Sequence, residues 1–190
     1  AIGWYGDRGP RVVDERDERG SGFLSEVCAE WEQATRAAED AGIRVVHLRI
    51  GIVLSTRGGA LAKLAPIFKL GGGGPVGSGQ QGMSWIALDD LLGAILFSIV
   101  TPSVHGAVNA TAPEPMSNRD FGRTLARVLR RPFLLPAPSF GMRALFGEMG
   151  DQLLLRGAFV KPARLMDHRF RFDFPTLEPA LRFEFMKFQD

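Results

Sequence analysis

Val45-Val46-His47-Leu48-Arg49-Ile50-Gly51-Ile52-Val53-Leu54 is the stretch on which the fold turns. Its first residues lie in an apolar, β-branched run, Ile43 to Leu48, that fits a buried parallel strand. Gly42 stops the helix expected before it over residues 22–41, where Leu24, Val27, Cys28, Trp31, Ala34, Thr35 and Ala38 recur at helical spacing and predict one buried face. Upstream of that helix, Ala1-Ile2-Gly3-Trp4-Tyr5-Gly6 reads as a strand running into a glycine turn, and the charged, Gly- and Pro-containing residues 7–21 read as a loop. Strand, helix, strand in this order predicts a right-handed crossover unit.

The chain then turns through Ser55-Thr56-Arg57-Gly58-Gly59, and a helix is expected over 60–70, ended by Gly71 to Gly74. Met83-Ser84-Trp85-Ile86-Ala87-Leu88-Asp89-Asp90-Leu91 supplies a short strand over 84–87 and a cap, Asp89 or Asp90, for a helix over 91–99 that is apolar on nearly every side and so expected to be buried. A short strand follows at 108–110. Ser117 with Asp120 three residues on predicts the start of another helix, with Phe121, Leu125, Val128 and Leu129 facing inward. The class is α/β, and the pattern reads as the second half of a larger fold. From about Pro132 the composition shifts to Pro, Phe, Met and Arg, with short helical pieces near 140–146, 161–166 and 177–181. Two units are therefore expected, 1–131 and a small helical extension over 132–190.

Composition narrows the function classes. At 190 residues the chain can bury one real core, and 45% hydrophobic with 23% charged residues is ordinary for a soluble globular protein. No apolar run reaches membrane-span length, and the first residues lack the order of a signal peptide, so no membrane partner is expected. Cys28 is the single cysteine, which excludes an internal disulfide and favours a reducing, cytoplasmic setting. A net charge of +2 is too slight to argue for nucleic acid. His47, His105 and His168 are far apart and give no metal-ligand spacing.

Each motif has a bland reading beside the functional one. The glycine run 71–79 follows a helix and lacks the Gly-Lys-Ser/Thr ending, so it fits a connector better than a phosphate cradle. Arg119, Arg123, Arg127 and Arg130 form a stripe without interleaved aromatics, which fits a solvated helix face. Arg49 ends a strand that reads as buried, so its guanidinium must meet a carboxylate, carbonyl groups or a ligand. Tyr5-Gly6, Gly51-Ile52-Val53 and Ser84-Trp85 fall at or near strand carboxyl ends, where ligands bind in open α/β sheets.

Together these segments resemble the extended short-chain dehydrogenase/reductase superfamily. More closely, they are similar to its divergent branch of epimerase family proteins, related to nucleoside-diphosphate-sugar epimerases and carrying a C-terminal domain of unknown function. The resemblance is carried by residues 1–9, by Glu26-Val27-Cys28-Ala29-Glu30-Trp31-Glu32, by Leu48 to Leu54, by Gly58-Gly59-Ala60-Leu61-Ala62-Lys63, by Gly77-Ser78-Gly79 through Met83-Ser84-Trp85-Ile86, and by Val108-Asn109-Ala110-Thr111-Ala112-Pro113. Residues 135–181, with Gly147-Glu148-Met149, resemble that branch's C-terminal unit. The resemblance implies the C-terminal portion of a Rossmann-type parallel sheet and a cofactor, NADP or NAD, in an intact parent. It also implies that the glycine-rich cofactor loop, with roughly 110 residues and about five strands around it, is absent from this chain.

The superfamily's Tyr-x-x-x-Lys pair, which moves a proton while hydride passes to the nicotinamide, maps onto Leu24 and Cys28, and its Ser/Thr position falls near Ala1. The arginine that pairs with diphosphate in sugar-nucleotide epimerases maps near Met83. Tyr5, the one tyrosine, is then either a substitute catalytic acid or a residue that packs or stacks on a ligand. The enzymatic expectation is an NAD(P)-dependent epimerase or oxidoreductase-like protein acting on a small molecule, possible as a homo-oligomer. In it Tyr5 is catalytic, Gly51, Ile52 and Val53 meet the cofactor, and Arg49, Ser84 and Trp85 meet substrate. The alternative is a non-catalytic NAD(P)-sensing or protein-interaction module associated with cell division.

Overall fold

The structure, a computed structural model, describes residues 1–134 and 157–187. The expected helical piece at 140–146 lies outside the described residues.

Residues Ile2–Tyr5 form a 3-10 turn rather than the expected strand. The backbone there is consumed locally. The N–H of Trp4 donates to the Ala1 carbonyl and that of Gly6 to Gly3, both at 3.1 Å, while the Trp4 carbonyl accepts from Gly20 N–H at 2.9 Å and from the Ser25 hydroxyl at 2.8 Å. Within the following loop the apolar pair Val12–Val13 makes a short strand, β1.

The helix expected over 22–41 is broken into α1 (Phe23–Gln33) and α2 (Arg36–Asp40). The break sits where the Thr35 hydroxyl donates to the Glu32 carbonyl at 2.8 Å, a local bond that competes with the helical ladder. Cys28 faces inward as expected, but Trp31 is 65% exposed.

β2 (Val46–Ile50) and β3 (Ile52–Leu54) are one run of backbone that changes partner at Gly51. β2 pairs in parallel with β6 (Gly106–Ala110), and β3 pairs in parallel with β5 (Trp85–Ala87). At the change, Gly51 N–H donates to Ala110 and Ile52 N–H to Ser84. A Cβ on residue 51 would stand 2.8 Å from the Ser84 carbonyl oxygen, which is why glycine occupies the switch. Along β2, Val46, Leu48 and Ile50 pack toward α4 (Leu88–Val100), while Arg49 faces α1 and His47 meets Thr35 between α1 and α2. The expected burial of this strand is corrected in part. Arg49 is buried, but its β2 neighbours are only half-buried and Ile43 is 61% exposed. Among the described residues β2 pairs on one side only.

α3 (Gly59–Lys69) runs as expected into the glycine turn, and β4 (Gly82–Met83) pairs antiparallel with β7 (Met116–Ser117). α4 has no side-chain cap at its start. The Asp90 carboxylate turns away and accepts from the backbone N–H groups of Asp173 at 2.7 Å and Phe174 at 3.1 Å. Nor is α4 buried all round: Leu92, Leu96, Ile99 and Val100 form a row 56–64% exposed, because only one face of the helix meets the sheet. α5 (Asn118–Val128) does carry its predicted cap, Ser117 accepting from Asp120 N–H, and buries Phe121 and Leu125.

Past the undescribed residues, β8 (Phe159–Val160) pairs in parallel with β1, α6 spans Ala163–Asp167 and α7 spans Leu177–Met186. The largest core packs Leu54, Leu61, Phe68, Trp85, Phe121 and Leu125 against Leu177, Ala180 and Leu181 of α7.

Candidate functional site

The chemistry-bearing residues gather where β2 and β6 approach their carboxyl ends. Arg49 and Asn109 are register partners on these two parallel strands, so their side chains rise from the same face. The 3-10 turn lays Tyr5 across them. The Tyr5 hydroxyl donates to Asn109 Oδ1 at 2.8 Å and accepts from Arg49 Nη1 at 3.1 Å. The rest of the guanidinium makes a two-pronged bond to Glu32 at the end of α1, Nε to Oε1 at 2.8 Å and Nη2 to Oε2 at 2.9 Å. Its flat face lies 3.9 Å from the centre of a Trp4 ring.

Arg49 is 4% exposed and Tyr5 fully buried. An isolated guanidinium at this depth is costly; a planar carboxylate fork, a phenol and an aromatic face offset the lost water. Burial works against the Arg49 charge, but the Glu32 and Tyr5 contacts outweigh it and hold its pKa above the ordinary value. Burial pushes the Tyr5 phenol up, against the lowering contacts with Arg49 and Asn109. Tyr5 therefore stays protonated near neutral pH. Its hydroxyl bonds only to a neutral carboxamide and a guanidinium, neither of which accepts a proton. The arrangement locks the N-terminal turn, α1 and two strands together.

The other predicted site residues lie apart from this network. The Ser84 hydroxyl donates to the Ala158 carbonyl and accepts from Val160 N–H, both at 2.8 Å, pinning the crossing C-terminal segment. Trp85 is fully buried, and its indole N–H has no partner. Gly51 backs onto the Ser84 carbonyl, and Ile52 and Val53 pack into apolar clusters. The sequence reading did not single out Glu32, Asn109, Trp4 or Glu15. The need of Arg49 for a carboxylate pointed toward an acid without selecting one. The arginine stripe of α5 is spent on the surface: Arg119 donates to the Ser78 carbonyl, Arg123 pairs with Asp120 and Arg127 with Glu178. Among the described residues no group of His, Cys, Asp and Glu could hold a metal ion, and no helix is long and apolar enough to cross a membrane.

The chain is 45% identical over 181 residues to an epimerase family protein of Mycobacterium bovis, a match covering 95% of this chain and 60% of the relative. It is 43% identical to the chloroplastic epimerase family protein of Arabidopsis thaliana over 96% of this chain and 52% of that one. Its structure superposes on that of a human epimerase family protein crystallised with NADPH at a TM-score of 0.87 and 34% identity, covering 96% of this chain and 62% of the human one. Along nearly all of its length the chain is similar to epimerase family proteins. A nucleoside-diphosphate sugar epimerase from Corynebacterium glutamicum matches at a TM-score of 0.81 and 36% identity, over 97% of this chain and 36% of that protein. Residues 137–184 match a domain of unknown function, DUF1731. The chain spans about 60% of the length of the M. bovis and human relatives. The shared fold is Rossmann-type α/β, and a nicotinamide cofactor occurs within the family.

Proposed function

We propose that this chain is the substrate-side part of an NADP- or NAD-dependent epimerase or oxidoreductase-like protein that acts on a small molecule. The observation that carries the reading is similarity along nearly the whole chain to epimerase family proteins, one of them crystallised with NADPH. Residues 1–131 are read as the sheet-bearing part, and 132–190 as a C-terminal unit bound to it through β8 and α7. Within this reading the carboxyl ends of β2, β3 and β6 face the cofactor and substrate. Gly51, Ile52 and Val53 lie toward the cofactor, and Ser84 and Trp85 shape the wall behind the substrate. Tyr5 and Arg49 serve by position: a phenol whose hydroxyl partners take no proton fits a brace better than an acid–base catalyst.

The test is calorimetric titration of NADPH and NADH into this chain and into a version extended upstream by the length its relatives carry beyond it. Binding by the extended version alone is expected. Binding by the short chain would return the glycine run 71–79 to consideration as a phosphate cradle. Binding by neither would remove the cofactor from the reading.

A further inference from the structure

Glu15 stands where three parts of the chain meet. It lies two residues past β1. Its Oε1 accepts from the backbone N–H of Asn109 in β6 at 2.9 Å and from that of Arg164, in the first turn of α6, at 3.3 Å. Its Oε2 is buried and has no hydrogen-bond partner. The adjoining seam is the β1–β8 pairing, extended by Lys161 N–H donating to the Val13 carbonyl at 2.8 Å.

This bonding suits one protonation state. An ionised carboxylate shares its charge between both oxygens, so a dry, partnerless Oε2 is costly. A neutral carboxyl keeps Oε1 as the carbonyl acceptor for both N–H groups and carries its proton on Oε2, where an unpaired O–H costs less than an unpaired charge. Among the described residues no cationic side chain bonds to Glu15. Asp14 on the same loop and Tyr5 from the N-terminal turn are its electrostatic neighbours. Arg49 of β2 stands behind the Tyr5 hydroxyl, already bound to Glu32. β6 brings only the Asn109 backbone and carboxamide. From the C-terminal segment, the Lys161 side chain is exposed and the Arg164 guanidinium donates to the His105 carbonyl.

We propose that Glu15 is carried as the neutral acid in the folded chain and acts as a pH-operated latch, its ionisation loosening the β1–β8 seam. Burial pushes its carboxyl above the ordinary value, opposed by the backbone N–H groups of Asn109, of Glu15 itself and of Arg164, and reinforced by Asp14. Because the folded value is raised, the stabilising contribution is complete below the ordinary glutamate value of 4.5 and is lost as pH rises through the folded value.

The experiment is amide NMR on this chain and on Glu15→Gln across pH 4 to 8. The Asn109 and Arg164 amides are expected to titrate together, with a midpoint above the ordinary glutamate value, and to stay flat in Glu15→Gln. Exchange of the Lys161 amide, corrected for its intrinsic pH dependence, is expected to speed up between the ordinary glutamate value and that midpoint by at most about tenfold per pH unit and to level off above it, and in wild type only. A shared midpoint at or below the ordinary value overturns the proposal, as does equal Lys161 exchange in both proteins. If Glu15→Gln does not fold, the wild-type midpoint decides alone.

Discussion

Replacing Arg49 with alanine strands the half-buried Glu32 carboxylate without its guanidinium and leaves the Tyr5 hydroxyl with Asn109 alone. Removing one partner of a largely buried ion pair should lower unfolding free energy by about 3 kcal/mol, readable in urea melts. Tyr5→Phe is milder. It unpairs Asn109 Oδ1 and one guanidinium N–H, an expected loss of about 1–2 kcal/mol, and it should leave NADPH affinity in the upstream-extended protein unchanged. Abolished turnover with intact folding, once a substrate is in hand, would restore Tyr5 as a catalyst. The strand pattern around Arg49 already implied that its charge needs an answer. Which acid answers depends on how far α1 runs before Thr35 interrupts it, and periodicity does not carry that length.

At the scale of elements, Gly51 is the most exposed to test. An alanine there points its Cβ at the Ser84 carbonyl, a backbone atom that yields only by moving β5. Gly51→Ala should therefore cost about 1–3 kcal/mol, with near-ultraviolet circular dichroism reporting a disturbed Trp85. Loss within a few tenths would mean the strand switches partners with slack. The start of α5, the span of α3 and the helix–strand order were legible, because caps, glycine stops and β-branched runs act over three or four residues. The N-terminal turn was not. Its residues are apolar enough for a strand, but Gly20 and Ser25, distant in sequence, take the carbonyl a strand would have used. Asp90 misled for a related reason: it sits where a cap belongs, and Asp173 and Phe174 claim it from across the fold.

For the molecule as a whole, the row Leu92, Leu96, Ile99 and Val100 lies on one side of the sheet, and Phe23 and Trp31 project from α1 on the other. β2 adds an edge unpaired among the described residues. Exposed apolar rows and open strand edges favour association, so sedimentation at rising concentration should show self-association of this chain. Leu96→Glu should reduce it while changing unfolding free energy by no more than about 0.5 kcal/mol, since the side chain is 61% exposed. A strictly monomeric wild type would contradict the prediction. The apolar character of α4 was plain in its sequence. Its one-sided burial was not, because composition cannot say how many faces of a helix find neighbours.

The pairing of β1 with β8 also sets a clock. Val12 finds its partner at Phe159, so on a growing chain the loop that holds β1 must wait for all the residues between them to be made. At ordinary elongation rates that wait is on the order of ten seconds. Throughout it, Val12 and Val13 have nothing to pair with, and Glu15 lacks the Arg164 N–H that it accepts in the finished fold. Slow elongation past β6 prolongs that interval, and leaves this loop open to a protease or chaperone for as long.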